Sequence, residues 1–188
     1  MPKARLRGAR PRVSREFAIM ANAGPVAQTA IIRSSEDLFL DQTVLGSLRI
    51  EFGGKSPLVS SRDPQVTEDG SLANVTLVPV LWDLVAACSR LLRGRSVRET
   101  VPLVPTSYAL DIEIRAGRTA VRLTRSQADS PRLVAAANPS LREFVQECVH
   151  IAYLVSTSIT DTNPDLKGNL YVQRFIAAID RLRGELDR

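Results

Sequence analysis

The stretch "SYALDIEIRAGRTAVRLT" (residues 107–124) decides the fold. Tyr108, Leu110, Ile112 and Ile114 alternate with Asp111, Glu113 and Arg115, and the alternation resumes beyond Gly117 through Val121 and Leu123. Period two with one polar face marks a strand that buries only one side. A two-residue turn at Ala116-Gly117 places Ile112 opposite Val121 and Leu110 opposite Leu123, with Asp111 opposite Arg122 on the outer face. Apolar pairs inside and an opposite-charge pair outside support that register, because a slip of one residue would turn the apolar set to water. The same register sets Arg115 against Arg118, a like-charge conflict that a wider turn would relieve.

Working outward, "SLRIEF" (47–52) repeats the pattern, with Leu48, Ile50 and Phe52 on one face. "VAQTAIIR" (26–33) and "DLFLDQ" (37–42) read as further strands. Residues 53–74 are rich in Gly, Pro, Ser and Asp and offer no apolar anchors beyond Leu58 and Val59, so a mobile insertion is expected there, with a functional loop as the alternative.

A helix is expected from Pro79 to Arg93, with Pro in its first turn and Gly94 just past its end. Val80, Leu84, Ala87, Cys88 and Leu91 form its apolar stripe. Trp82 falls off that stripe, with Ser89 and Arg93. An aromatic and an arginine on the outer side of a helix make Trp82 and Arg93 candidates for contact with a protein partner.

"SLRE" (140–143) has the spacing of a capping box, Ser140 with Glu143, and opens a helix to about Thr157. A last helix runs from about Asn169 to Leu186, with Val172, Phe175, Ile176, Ile179 and Leu182 on one face. The turn-rich link around Pro164 and Gly168 makes the two an antiparallel helical hairpin. The expected fold is α+β: one antiparallel sheet of about four to five strands, packed against one helix and a C-terminal two-helix hairpin. It occupies residues 25–188 as a single domain, behind a disordered basic tail over 1–24.

That tail carries the charge. The 188 residues have 25 Lys and Arg against 20 Asp and Glu, a formal net of +5. Lys3, Arg5, Arg7, Arg10, Arg12 and Arg15 supply six of the 25, which leaves 19 against 20 in residues 16–188, a net of −1. A folded nucleic-acid-binding domain carries a basic stripe of its own. Six cations in a tail support weak, salt-sensitive, sequence-blind contact with nucleic acid instead. Met20 is an alternative start, which would remove the tail altogether. Two cysteines, Cys88 and Cys148, are too few for a disulfide framework and stand in no Cys-x-x-Cys pair, so a reducing, cytoplasmic setting is expected. No apolar run reaches the length of a membrane span, so no membrane partner is expected.

Three short motifs touch on chemistry. "FGGKS" (52–56) ends like a phosphate-binding loop, but Arg49 stands where the first glycine belongs and Pro57 follows instead of a helix. "DTNPD" (161–165) spaces Asp161, Asn163 and Asp165 like a calcium loop, yet Leu166 and Val172 occupy the glycine and glutamate positions. "ECVH" (147–150) places Glu147 and His150 one helical turn apart, with Glu143 on the same side, the unit from which carboxylate-bridged metal sites are built. The chain holds a single histidine, so these weak metal candidates read as a solvated helix face, and no cofactor is expected. No Gly-x-Ser-x-Gly occurs and both cysteines lie on apolar stripes, so no catalytic residues are assigned. The expected function is a non-catalytic protein-interaction protein, such as a small cytoplasmic immunity or antitoxin-like protein or a subunit of a bacterial complex. The alternatives are a nucleic-acid-associated protein anchored by its tail, and a metal-dependent enzyme using Glu143, Glu147 and His150.

Overall fold

The computed structural model describes residues 16–23, 45–127 and 130–187. The six cations of residues 1–15 and the strands expected at 26–33 and 37–42 lie outside the described residues. The α+β class is as expected, but the strands divide into two antiparallel sheets rather than one. The first has the order β1 (Phe17–Ala23), β2 (Leu45–Phe52), β3 (Leu72–Thr76). Helix α1 (Leu77–Leu92) follows β3 without a break and leads to the second sheet. That sheet has the order β4 (Arg98–Pro102), β5 (Tyr108–Arg115), β6 (Arg118–Arg125), β7 (Arg132–Ala137). Helices α2 (Leu141–Thr162) and α3 (Leu170–Leu186) close the chain, joined by a short 3₁₀ turn, Pro164–Gly168.

The β5–β6 hairpin has the register the sequence dictates: Ile112 faces Val121, Leu110 faces Leu123 and Asp111 faces Arg122. Ala116 and Gly117 form its two-residue turn, with φ of 48° and 76°, the left-handed pair that matches strand twist. The turn is not widened to separate Arg115 from Arg118. Glu113 relieves the conflict instead, accepting hydrogen bonds from Arg115 at 2.7 Å and from Arg122 at 3.0 Å. Asp111, opposite Arg122, accepts from Thr100 and Thr124. The outer face is thus cross-linked diagonally rather than straight across.

Phe17–Ala23 belong to the fold and correct the expectation of a disordered tail over 1–24. Phe17, Ala18 and Ile19 are all buried. Phe17 and Ile19 turn to the core while Met20 and Asn22 are exposed, but Ala18 and Met20 on the outer side are themselves apolar, so the residue types show no alternation to read. Its Phe17 ring meets Phe52 of β2 at 5.6 Å and Phe144 of α2 at 5.3 Å between centroids. Met20 lies mid-strand, and a chain begun there would lack Phe17 and Ile19 from the core.

Residues 53–71 are folded, contrary to the expected mobile loop, and the following residues form β3, with Leu72 and Val75 fully buried. Two other strands lack a readable pattern. β4 is an edge strand ending in Pro102, and β7 is largely alanine, a weak strand former.

Helix α1 starts two residues before Pro79 and ends at Leu92, with Arg93 as its C-cap and Gly94 next, whose φ of +63° admits a left-handed exit. Helix α2 has the expected capping box at Ser140 and Glu143 and runs five residues past Thr157. Helix α3 is capped by Asn169, whose side chain accepts from the amides of Tyr171 and Val172. The apolar stripes of all three helices share one core with the inner faces of both sheets. No described helix is long and apolar enough to cross a membrane.

Candidate functional site

Trp82 and Arg93, the expected partner contacts, are engaged within the fold. The Trp82 ring stacks on Tyr171 at 5.0 Å and on Phe175 at 5.7 Å, both on α3. Tyr171 and Phe175 are one helical turn apart, so they present neighbouring rings to one indole. Arg93 pairs with Glu185, near the other end of α3. Both residues therefore fasten α1 to α3. Burial, and secondarily Asp83, raises the Tyr171 hydroxyl pKa above its ordinary value.

Glu143 is occupied by its helix end. It accepts from the Ser140 amide at 2.9 Å and from the Ser140 hydroxyl at 2.8 Å. The amide bond, then the hydroxyl bond, lowers its pKa. Glu147 and His150 lie further along the same helix. Among the described residues, no group of three or more His, Cys, Asp and Glu side chains stands where it could hold a metal ion. In "DTNPD", Asn163 accepts from the Asp165 amide and so caps the 3₁₀ turn. In "FGGKS", Gly53 and Gly54 take positive φ and a backbone bond closes Phe52 onto Lys55. Glycine conformational freedom and Asx capping account for both motifs.

His150 does line a cleft. Gln146, Val149, His150 and Tyr153 of α2 recur at helical spacing along one edge of α2, and Ile179, Asp180, Arg183 and Leu186 do the same on α3. Between these stripes lies a groove of about 330 Å³. Ile179 and Leu186 are buried core residues, so the groove has an apolar floor. Tyr153 is 52% exposed on its rim, and the adjacent Leu154 is 48% exposed. Charges of both signs, Asp180, Arg183 and Asp187, complete the margin. Such a groove can seat apolar side chains of a partner and fix their orientation by polar contacts at the edge. The i, i+3, i+7 spacing of Gln146, Val149 and Tyr153 was the sequence signal for it; reading α2 only for its core stripe passes it by.

A second polar cluster joins the segment 53–71 to the second sheet. Asp63, its side chain only 2% exposed, accepts from Arg125 at 2.7 Å, from the Tyr108 hydroxyl at 3.0 Å and from the Gln65 amide at 2.9 Å. Gln65 in turn accepts from the Ser107 amide at 3.1 Å. Burial first, then the hydrogen bond to Asp63 and its charge, raises the Tyr108 hydroxyl pKa. A lone Asp in a Pro- and Ser-rich stretch carries no pattern by which sequence reasoning could find it.

Cys88 of α1 and Cys148 of α2 are both free and fully buried. Burial pushes the Cys148 thiol well above the ordinary cysteine range, and its hydrogen bond with the Cys88 thiol pushes it further. Thiolate chemistry is thereby suppressed at Cys148.

Comparison of the chain with protein-family models, with curated proteins and with solved structures gives no match.

Proposed function

We propose that this chain is a non-catalytic interaction protein that docks a short amphipathic segment of another protein in the groove between α2 and α3. The observation that carries the reading is the half-exposed Tyr153 on the rim of an apolar-floored groove. Aromatic side chains at the edge of a concave apolar surface are favoured anchors in protein interfaces. The groove is lined by two helices fixed through the core, so a partner meets a preformed surface and the ordering cost of binding is small. Among the settings that suit such a role, a cytoplasmic immunity or antitoxin-like protein and a subunit of a bacterial complex accord with two buried thiols held apart from oxidants.

Co-purification from the native host tests the reading. Wild-type protein is expected to retain a partner that Tyr153→Asp loses, with the melting temperature of the two proteins unchanged. Equal retention by both, or a monomer that retains nothing, would overturn it.

A further inference from the structure

One end of the second sheet carries polar side chains where the core pattern asks for apolar ones. Tyr108, Arg125 and Arg132 stand directly opposite one another across β5, β6 and β7. The next inward positions of that face are Leu110 on β5, Leu123 on β6 and, across a bulge at Val134, Ala135 on β7. The register therefore puts Arg125 and Arg132 on the side of the sheet that Tyr108 occupies, at its solvent-open end, with Arg125 part-exposed and Arg132 exposed. Like charges directly opposite destabilise a strand pair, so the arrangement calls for negative charge between them.

Asp63 answers half of that demand by pairing with Arg125. Among the described residues, no side-chain hydrogen bond or ion pair engages the Arg132 guanidinium. Arg115 and Arg118 also face each other, but at the solvent-exposed turn, where Glu113 holds Arg115. Arg125 and Arg132 instead line a cleft of about 350 Å³ together with Ser60, Ser61 and Gln127. A guanidinium offers five N–H donors, and the Asp63 pair uses a fraction of those on Arg125. The Tyr108 ring, 5.6 Å from the Arg125 guanidinium carbon, and Asp63 together hold that guanidinium in place. Leu133, 55% exposed, supplies an apolar lip.

We propose that this cleft binds the phosphate group of a small organic phosphate monoester. Two arginine forks from opposing strands suit a dianion whose oxygens accept from both, whereas a carboxylate is met by one fork. Serine hydroxyls supply donors for the remaining oxygen. The organic part of the ligand lies against Leu133. Free inorganic phosphate shares the anionic chemistry and lacks the apolar part, so it distinguishes the two contributions.

The test titrates the full chain with phenyl phosphate and, separately, with inorganic phosphate, followed by NMR chemical shifts. Phenyl phosphate is expected to bind saturably with a Kd of about a millimolar or tighter, and inorganic phosphate more weakly. Arg132→Ala is expected to weaken phenyl phosphate binding by about tenfold or more, with the melting temperature unchanged because no internal pair is lost. Arg118→Ala, at the hairpin turn, is expected to leave binding as it is and so controls for bulk charge. Absence of saturable binding, equal affinity in wild type and Arg132→Ala, or an equal loss in Arg118→Ala would overturn the proposal. So would tighter binding of inorganic phosphate than of phenyl phosphate.

Discussion

In the β5–β6 hairpin, the core-facing side chains sit at every second position, and each has its partner directly across the strand pair. In residues 53–71, the chain is held by a few polar side chains with no period. Ser56 donates to the Gly70 carbonyl at 2.7 Å, Asp63 reaches Tyr108 and Arg125, and Gln65 reaches Ser107. Repeated weak pairs give the hairpin order that survives the loss of any exposed one. The segment concentrates its order in single buried groups, each expensive to leave unpaired. Order without regular secondary structure is therefore possible, but it hangs on fewer atoms.

The largest expected effects set one region against the other directly. Leu110→Ala, which opens a cavity in the hairpin core, is expected to cost about 2–5 kcal/mol in urea denaturation. Asp63→Ala is expected to cost about 2–3 kcal/mol, because it leaves the buried Tyr108 hydroxyl and the Gln65 amide without an acceptor, while the part-exposed Arg125 can turn to water. A loss below about 1 kcal/mol for Asp63→Ala, the range of an ordinary surface pair, would mean that the segment is not held by its carboxylate.

A matched pair of glycines sharpens the contrast. Gly70 and Gly117 have nearly the same backbone, with φ of +79° and +76°. A Cβ on Gly117 meets nothing within 4 Å, whereas one on Gly70 comes within 2.7 Å of the Ser56 hydroxyl and the Val59 amide nitrogen. Gly117→Ala is thus expected to cost the left-handed strain alone, about 1 kcal/mol. Gly70→Ala adds a backbone clash and is expected to cost at least about 1 kcal/mol more. Equal melting temperatures for the two variants would show that the segment yields where the hairpin does not.

The smallest expected effect lies on the hairpin's outer face. Hydrogen bonds from Arg115 and then Arg122 lower the Glu113 pKa below the ordinary glutamate value of 4.5. A carboxylate whose folded pKa is depressed adds stability above its unfolded pKa and loses it as pH falls through the folded one. The stability difference between wild type and Glu113→Gln should therefore be steady above pH 4.5 and shrink below it. A difference that grows on acidification would reverse the assignment.

Legibility in the sequence follows the same division. The hairpin register, the capping box at Ser140 and the apolar stripes of the helices are readable because each repeats a rule of geometry. Phe17–Ala23 escapes because apolar Ala18 and Met20 stand on its outer side and mask the alternation, and β7 because alanine has little strand preference. Asp63 escapes because its partners, Tyr108 and Arg125, lie far along the chain and leave no local mark. Trp82 was legible as displaced from its helix's stripe. What covers it, Tyr171 and Phe175, depends on how α3 docks, which no local pattern contains. His150 was legible as solvent-facing, while its groove exists only once α2 and α3 lie side by side.

The contact of Phe17 with Phe144 bears on the order in which the molecule can assemble. It joins the first described strand to a helix of the last third of the chain, so it closes a loop that spans most of the protein. Contacts of that separation are entropically late and slow folding. The β5–β6 hairpin, closed by two residues, has no such delay. During synthesis the second sheet's central strands can pair as soon as they emerge, while Phe17 waits for α2. In that interval an apolar edge strand stands uncovered, the kind of surface on which chains adhere to one another or to a chaperone.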